Sequence, residues 1–232
     1  MKSRCGWMPR LDVWLVREGY FSSRQAAKRA IKSGAVLVDG KQRKPSYSMN
    51  GLESITLLDE YADTPLGFRK LREIDQILDG SLSRADSALD IGSSAGGFLK
   101  YLSSIDTRVI IGLEVSERFS EELSIVTDQN PNISILFADA FTVEPLVLTH
   151  TESLDLLLID VTTSPNGTIE LVERFSCLLK SEGLLVVAIK AILRKEVQEC
   201  ISTRLRNLGY SILNVMLLDS TRQEFHIAAR RI

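Results

Sequence analysis

The sequence predicts an α/β protein: a mainly parallel sheet with helices on both faces and an antiparallel last strand, preceded by a small α+β unit. Three observations predict it. Beyond residue 66, short apolar runs alternate with segments of helical spacing, the pattern of parallel strands joined by crossover helices. The first of those strands runs into a glycine-rich loop, "ALDIGSSAGGF" at 88–98, of the kind that lets backbone approach a nucleotide-like ligand. Charge is divided as well. Residues 1–50 hold 11 Lys/Arg against 3 Asp/Glu, and the remainder holds 17 against 27, so a basic head precedes an acidic body.

A length of 232 residues suits a medium domain plus a small one. We place the boundary at 60/61, with a head at 1–60 and a body at 61–232. No apolar run approaches the roughly 20 residues of a membrane-spanning helix, and "MKSRCGWMPRLD" lacks the apolar core of a signal peptide. The three cysteines, Cys5, Cys177 and Cys200, show no metal spacing and read as free thiols in a reducing cytoplasm.

In the head, Leu11, Trp14 and Leu15 have helical spacing. Ser22 and Ser23 are candidate caps for a second helix, from about Arg24 to Ser33, which Gly34 ends. Ala27, Ala30 and Ile31 form its apolar stripe. Arg24, Lys28 and Lys32 recur every four residues, with Arg29 beside them. "AVLVDGKQRK" reads as a strand, an Asp-Gly turn and a basic return, and Ile55–Leu58 as a closing strand. A solvated charged face is the plain alternative to polyanion binding here.

In the body, "YADTPL" at 61–66 is a connector. Strands are expected at Ala88–Ile91, Val109–Glu114, Ile133–Phe137, Leu154–Ile159 and Leu184–Ile189. Helices are expected near Gly97–Ser104, Glu117–Asp128, Ile169–Leu179 and Glu196–Leu208. Two last strands, near Ile212–Leu218 and Phe225–Ala229, have only "DSTRQE" between them, a spacing that permits a hairpin and hence the antiparallel end of the sheet.

The glycine loop runs Asp90-Ile-Gly92-Ser93-Ser94-Ala-Gly96-Gly97-Phe98. It lacks the second glycine of the dinucleotide fingerprint and resembles motif I of S-adenosylmethionine-dependent methyltransferases. That resemblance implies a Rossmann-like sheet with S-adenosylmethionine as cofactor, held by the residues of this loop. Asp90 would meet the ligand's ammonium through water, and the following helix start would favour its carboxylate. Glu114, ending the second strand, would take the ribose, and Asp139, after the third, the adenine.

Further along, Asp160 follows the fourth strand and Lys190 ends the fifth, in "VVAIK". A lysine at the end of an apolar strand is costly to desolvate without a partner or a task. Together with "GFRKLREIDQIL" and "TRQEFHIAAR", these positions resemble the FtsJ-like ribose 2′-O-methyltransferases. The head "RLDVWLVREGYFSSRQAAKRAIKSGAVLVDGKQRKP" resembles an S4 RNA-binding domain, and the pair of domains resembles the TlyA family. The resemblance implies a Lys-Asp-Lys-Glu tetrad, carried here by Lys70, Asp160, Lys190 and Glu224. It also implies RNA as partner, in particular ribosomal RNA or a ribosomal subunit. The phosphate contacts would come from Arg10, Arg24, Lys28, Arg29, Lys32, Arg43 and Lys44. This chain departs from that family at "TPLGFRK", where a Ser-Arg-Gly run is usual, and at Ala191-Ile192-Leu193, where Pro-Gln-Phe is usual.

The chemistry accounts for these residue types. A ribose hydroxyl is a poor nucleophile, so alignment and proton removal are both required. Lys190 is assigned as proton acceptor with Asp160 orienting it, Lys70 positions the hydroxyl, and Glu224 orients the lysines. Burial and the second ammonium are expected to lower the pKa of Lys190. No metal is needed. Two other readings stay open: an RNA-binding or ribosome-assembly protein with an inactive methyltransferase fold, and an RNA base methyltransferase. Members of this family are also called haemolysins, but no amphipathic membrane segment supports pore formation.

Overall fold

A computed structural model describes residues 9–18, 20–21, 24–57, 65–219 and 222–232. The chain divides into two compact units, Met1–Leu66 and Gly67–Ile232. The proposed caps Ser22 and Ser23, Cys5 and residues 61–64 of the connector lie outside the described residues.

In the first unit, helices α1 (Leu11–Arg17) and α2 (Arg24–Lys32) precede three short strands, β1 (Val36–Val38), β2 (Lys41–Gln42) and β3 (Ile55–Leu57). The strands form an antiparallel sheet ordered β2-β1-β3. Its core joins Leu11 and Leu15 of α1, Ala27, Ala30 and Ile31 of α2, and Val36, Val38 and Met49. The apolar stripe read on α2 is thus the buried one, and its cations lie outside.

Apart from its first residue, α3 (Leu66–Ile77) opens the second unit, which continues with β4 (Ser87–Ile91), α4 (Gly97–Ser104), β5 (Val109–Glu114), α5 (Ser120–Gln129) and β6 (Ile133–Phe137). It ends with β7 (Leu154–Ile159), α6 (Pro165–Phe175), β8 (Leu179–Ile189), α7 (Lys195–Asn207), β9 (Tyr210–Met216) and β10 (Phe225–Arg231). The seven strands are ordered β6-β5-β4-β7-β8-β10-β9. The first five pair in parallel. β10 enters antiparallel between β8 and β9, so the strand that reverses is the last in sequence but not the edge of the sheet.

Helices cover both faces. α6 and α7 pack Ile169, Val172, Phe175, Ile201 and Leu205 on one. α3, α4 and α5 pack Leu71, Ile74, Leu99, Leu102, Leu123 and Val126 on the other. Alternation along each central strand assigns its residues to these layers: in β7, Leu157 and Ile159 face α6 and α7, while Leu156 and Leu158 face α3 and α4.

Boundaries depart from expectation by more than two residues in three elements. The 117–128 helix begins as a 3₁₀ turn at Glu117–Phe119. α6 starts four residues early because Ser164 accepts from Gly167 N–H (3.2 Å) and Pro165 fills the first helical position. β8 extends back to Leu179, but its pairing with β7 jumps from Leu154–Leu179 to Leu156–Leu184. Residues 180–183 therefore bulge out of the ladder.

Candidate active site

Strand alternation decides which side chains meet at the carboxyl edge of the parallel strands. Leu158 of β7, Ala188 of β8 and Ala228 of β10 all face the α3 layer. One period-two step onward in the first two strands, and further back along β10, lie Asp160, Lys190 and Glu224. All three emerge on that side, and α3 carries Lys70 across them.

The four side chains close into a ring of alternating charge. Lys70 Nζ lies 2.7 Å from Asp160 Oδ2 and 3.0 Å from Glu224 Oε1. Lys190 Nζ lies 2.5 Å from Asp160 Oδ1 and 2.7 Å from Glu224 Oε2. Each ammonium donates to both carboxylates, and each carboxylate accepts from both ammoniums with separate oxygens. The side chains are between 11% and 23% exposed, so the ring is shielded yet open at its mouth. Arg222 stands 3.9 Å from Glu224 and 3.2 Å from Asp219. It is a fifth charge beside the ring.

The pKa expected for Lys190 is corrected by this geometry. Burial does act to lower it, but the charges and hydrogen bonds of Asp160 and Glu224 outweigh burial and raise it above the ordinary lysine value. The sequence reading weighed the second lysine and underweighted two carboxylates at contact distance. Burial likewise acts to raise Asp160, yet Lys70 and Lys190 hold its carboxyl down at about 2. Glu224 is held low by the same two lysines against its own burial. One step along β10, His226 is 1% exposed with neither ring nitrogen hydrogen-bonded. Burial and then the Lys70 charge push it down to about 4, so it is neutral beneath the ring.

A cavity of about 330 Å³ opens at the ends of β4, β5, β6 and β7, within the ~300–1,000 Å³ of small-ligand sites. Asp160 belongs both to its wall and to the ring. Gly92, Ser94, Glu114 and Asp139 line it too. Glu114 Oε2 accepts from Ser94 N–H (2.7 Å) and Oε1 from Ser116 N–H (2.8 Å). That carboxylate therefore ties the glycine loop to the end of β5 and leaves each oxygen a further lone pair. Asp139 Oδ1 accepts from Phe141 N–H at 2.9 Å. Phe119, Phe141 and Val161 supply apolar wall. They follow strand ends outside any motif, which is why sequence reading missed them.

Five residues expected against the ligand do not line the cavity: Asp90, Ser93, Gly96, Gly97 and Phe98. Asp90 points into the α3–α4 layer from inside β4 and is fully buried. Neither carboxylate oxygen has a hydrogen-bond partner, and Ser93 Oγ–H donates instead to the Asp90 carbonyl (3.0 Å). Burial, with Asp160 and Glu114 adding like charge, pushes the Asp90 carboxyl up to about 8. Gly96 abuts Val126 and Phe98 is buried in the helix layer. Gly97 faces α3: a Cβ there would come 2.8 Å from Gly67 Cα.

The cations of the first unit fall into sets. Arg10, Arg24 and Lys28 are drawn to Asp12. Arg43 lies over the Tyr47 ring at 4.9 Å. Arg29, Lys32 and Lys44 are exposed.

Comparison with known proteins places both units. Residues 9–49 match the S4 domain, and residues 74–229 match fibrillarin. A hemolysin candidate from Streptococcus thermophilus superposes with a TM-score of 0.65 at 19% identity, over 97% of this chain and 88% of that one. Aeropyrum pernix fibrillarin, solved with natively bound S-adenosyl-L-methionine, superposes at 0.58 with 25% identity, over 70% and 75%. The Methanococcus jannaschii fibrillarin pre-rRNA processing protein gives 0.61 at 20% identity, over 78% and 90%. No curated protein matches the chain in sequence. With more than half its length matched by one family, behind an S4 domain, the chain belongs to the fibrillarin family and has a methyltransferase fold.

Proposed function

We propose that this chain is an S-adenosylmethionine-dependent RNA ribose 2′-O-methyltransferase whose catalytic group is Lys70, Asp160, Lys190 and Glu224. The observation that carries the reading is the closed four-charge ring sharing Asp160 with the cavity wall. Ribosomal RNA is the favoured substrate, supported by the S4 match and by the pre-rRNA processing described for the Methanococcus jannaschii protein.

S-adenosylmethionine, when bound, supplies an electrophilic methyl group. The chain's own residues do the rest. The free lone pairs of Glu114 accept from ribose hydroxyls, Asp139 accepts at the adenine end, and the phenyl rings of Phe119 and Phe141 exclude water. Asp160 and Glu224 accept from both lysines and favour the ammonium of Lys190 in the substrate-free chain. Lys70 N–H donates to the incoming 2′-oxygen and fixes it in line. Lys190 first releases one proton to solvent at the open mouth of the ring. Its amine then takes the 2′-hydroxyl proton as the oxygen–methyl bond forms, which restores the ammonium. Because the amine is scarce at neutral pH, alignment carries a large share of the rate.

Transfer of tritiated methyl groups to ribosomal RNA, followed by nuclease digestion and mass spectrometry, tests this. Lys190→Ala is expected to lower turnover ~10²–10⁴-fold with donor affinity retained. Equal incorporation by wild type and Lys190→Ala would remove Lys190 from the chemistry. A methylated base beside an unmodified ribose would overturn the 2′-O assignment.

A further inference from the structure

Asp12, in the first turn of α1, is 0% exposed. It nevertheless faces three cations. Arg10 Nε donates to Oδ1 at 2.9 Å, Arg24 Nη2 donates to Oδ2 at 3.1 Å, and Lys28 Nζ lies 3.7 Å from Oδ2. Those three side chains remain 48%, 54% and 39% exposed. One buried carboxylate thus gathers three half-exposed cations from the start of α1 and from one stripe of α2.

The plain reading is a buried ion cluster that ties α1 to α2. One cation is enough to neutralise one carboxylate. Three crowded round it leave two positive charges in excess, and their mutual repulsion is relieved only when another anion joins. The two guanidinium forks suit an oxyanion with several acceptors, as a phosphate has. Long cationic side chains already ordered by a buried anchor also lose less freedom on binding than free ones.

We propose that Asp12 is a positioning residue that presets Arg10, Arg24 and Lys28 as a clamp for one RNA backbone phosphate. This rests on the reading of the first unit as an RNA binder and adds which cations are aimed and by what. The clamp fixes position on the RNA and carries no base specificity.

The test inverts the sign that simple charge counting gives. Asp12→Asn adds one net positive charge, so unaided electrostatics predicts tighter binding to a polyanion. The clamp predicts weaker binding. With the full-length chain and a fluorescein-labelled hairpin RNA, Asp12→Asn is expected to weaken binding ~10-fold and to flatten the salt slope by about one unit. Asp12→Glu, which keeps the charge but shifts the carboxylate by one methylene, is expected to weaken it as well and serves if the Asn variant does not fold. In the Arg10→Ala/Arg24→Ala/Lys28→Ala background, neither change should matter. Binding by a folded Asp12 variant that equals or exceeds wild type overturns the inference. If replacing Arg29, Lys32 and Lys44 by Ala also leaves RNA binding untouched, the RNA-binding reading falls and the clamp with it. If those replacements weaken binding while Asp12→Asn does not, the clamp alone falls.

Discussion

Asp90 and Asp160 are carboxylates at the ends of neighbouring strands, and their surroundings drive them in opposite directions. Asp160 meets two ammoniums and is held at about 2. Asp90 meets no ammonium, and burial pushes it up to about 8. A carboxyl raised in the folded state keeps its proton where the unfolded chain has lost it, so its stabilising effect is fully present below pH 3.8. It is then lost progressively as pH rises toward 8. Asn at this position is uncharged throughout. Melting temperatures of Asp90→Asn and wild type should therefore converge near pH 4 and separate by several degrees at pH 8, with the variant higher; a gap independent of pH would contradict the assignment. Sequence reading located both acids from their places at strand ends. Spacing alone does not join Asp160 to Lys70 and Glu224, which lie far from it in the chain; only the family resemblance linked them, and it carried no distances. That is also why the direction of the Lys190 shift was misjudged: the deciding groups are neighbours in space only.

Among elements, the crossing of α3 and α4 sets the ring's geometry, since α3 carries Lys70. The two helices touch at Gly67 and Gly97, where a Cβ on either would fall within 3.3 Å of the other's Cα. Backbone meets backbone there, with no flexible side chain to give way. Gly97→Ala is expected to destabilise the second unit by about 1–3 kcal/mol and to reduce methyl transfer further than that loss explains. Activity measured well below the melting transition separates the two effects; full activity there would show that the crossing does not position Lys70. The regular alternation of strands and helices was legible because buried parallel strands are continuous apolar runs. The start of β8 was not, because Lys180, Ser181, Glu182 and Gly183 look like a turn, and they do leave the ladder. Nor was the role of Gly97, since a glycine motif does not say whether its close neighbour is a ligand or a helix.

For the whole molecule, the division of charge between head and body has a kinetic consequence. Substitution of Arg29, Lys32 and Lys44 by Ala should raise KM for RNA several-fold, weaken its salt dependence, and leave kcat and donor binding unchanged. Methyl-transfer kinetics from about 50 to 200 mM salt would check this, and a fall in kcat alone would contradict it. The head was read correctly as a basic RNA-binding fold, since an S4 domain matches it. Its internal wiring was invisible, because Asp12 counts in a sequence as one acid among many basic residues.

The ring at the strand ends has two positive and two negative members, so it cancels itself. Seen from beyond a screening length of ~8–10 Å, it projects almost no field. A charge cluster wired in this way neither pulls stray polyanions toward itself nor repels one that arrives. On the function proposed above, long-range capture of RNA would then fall to the basic head, and the ring would stay electrically silent until its substrate is within touching distance.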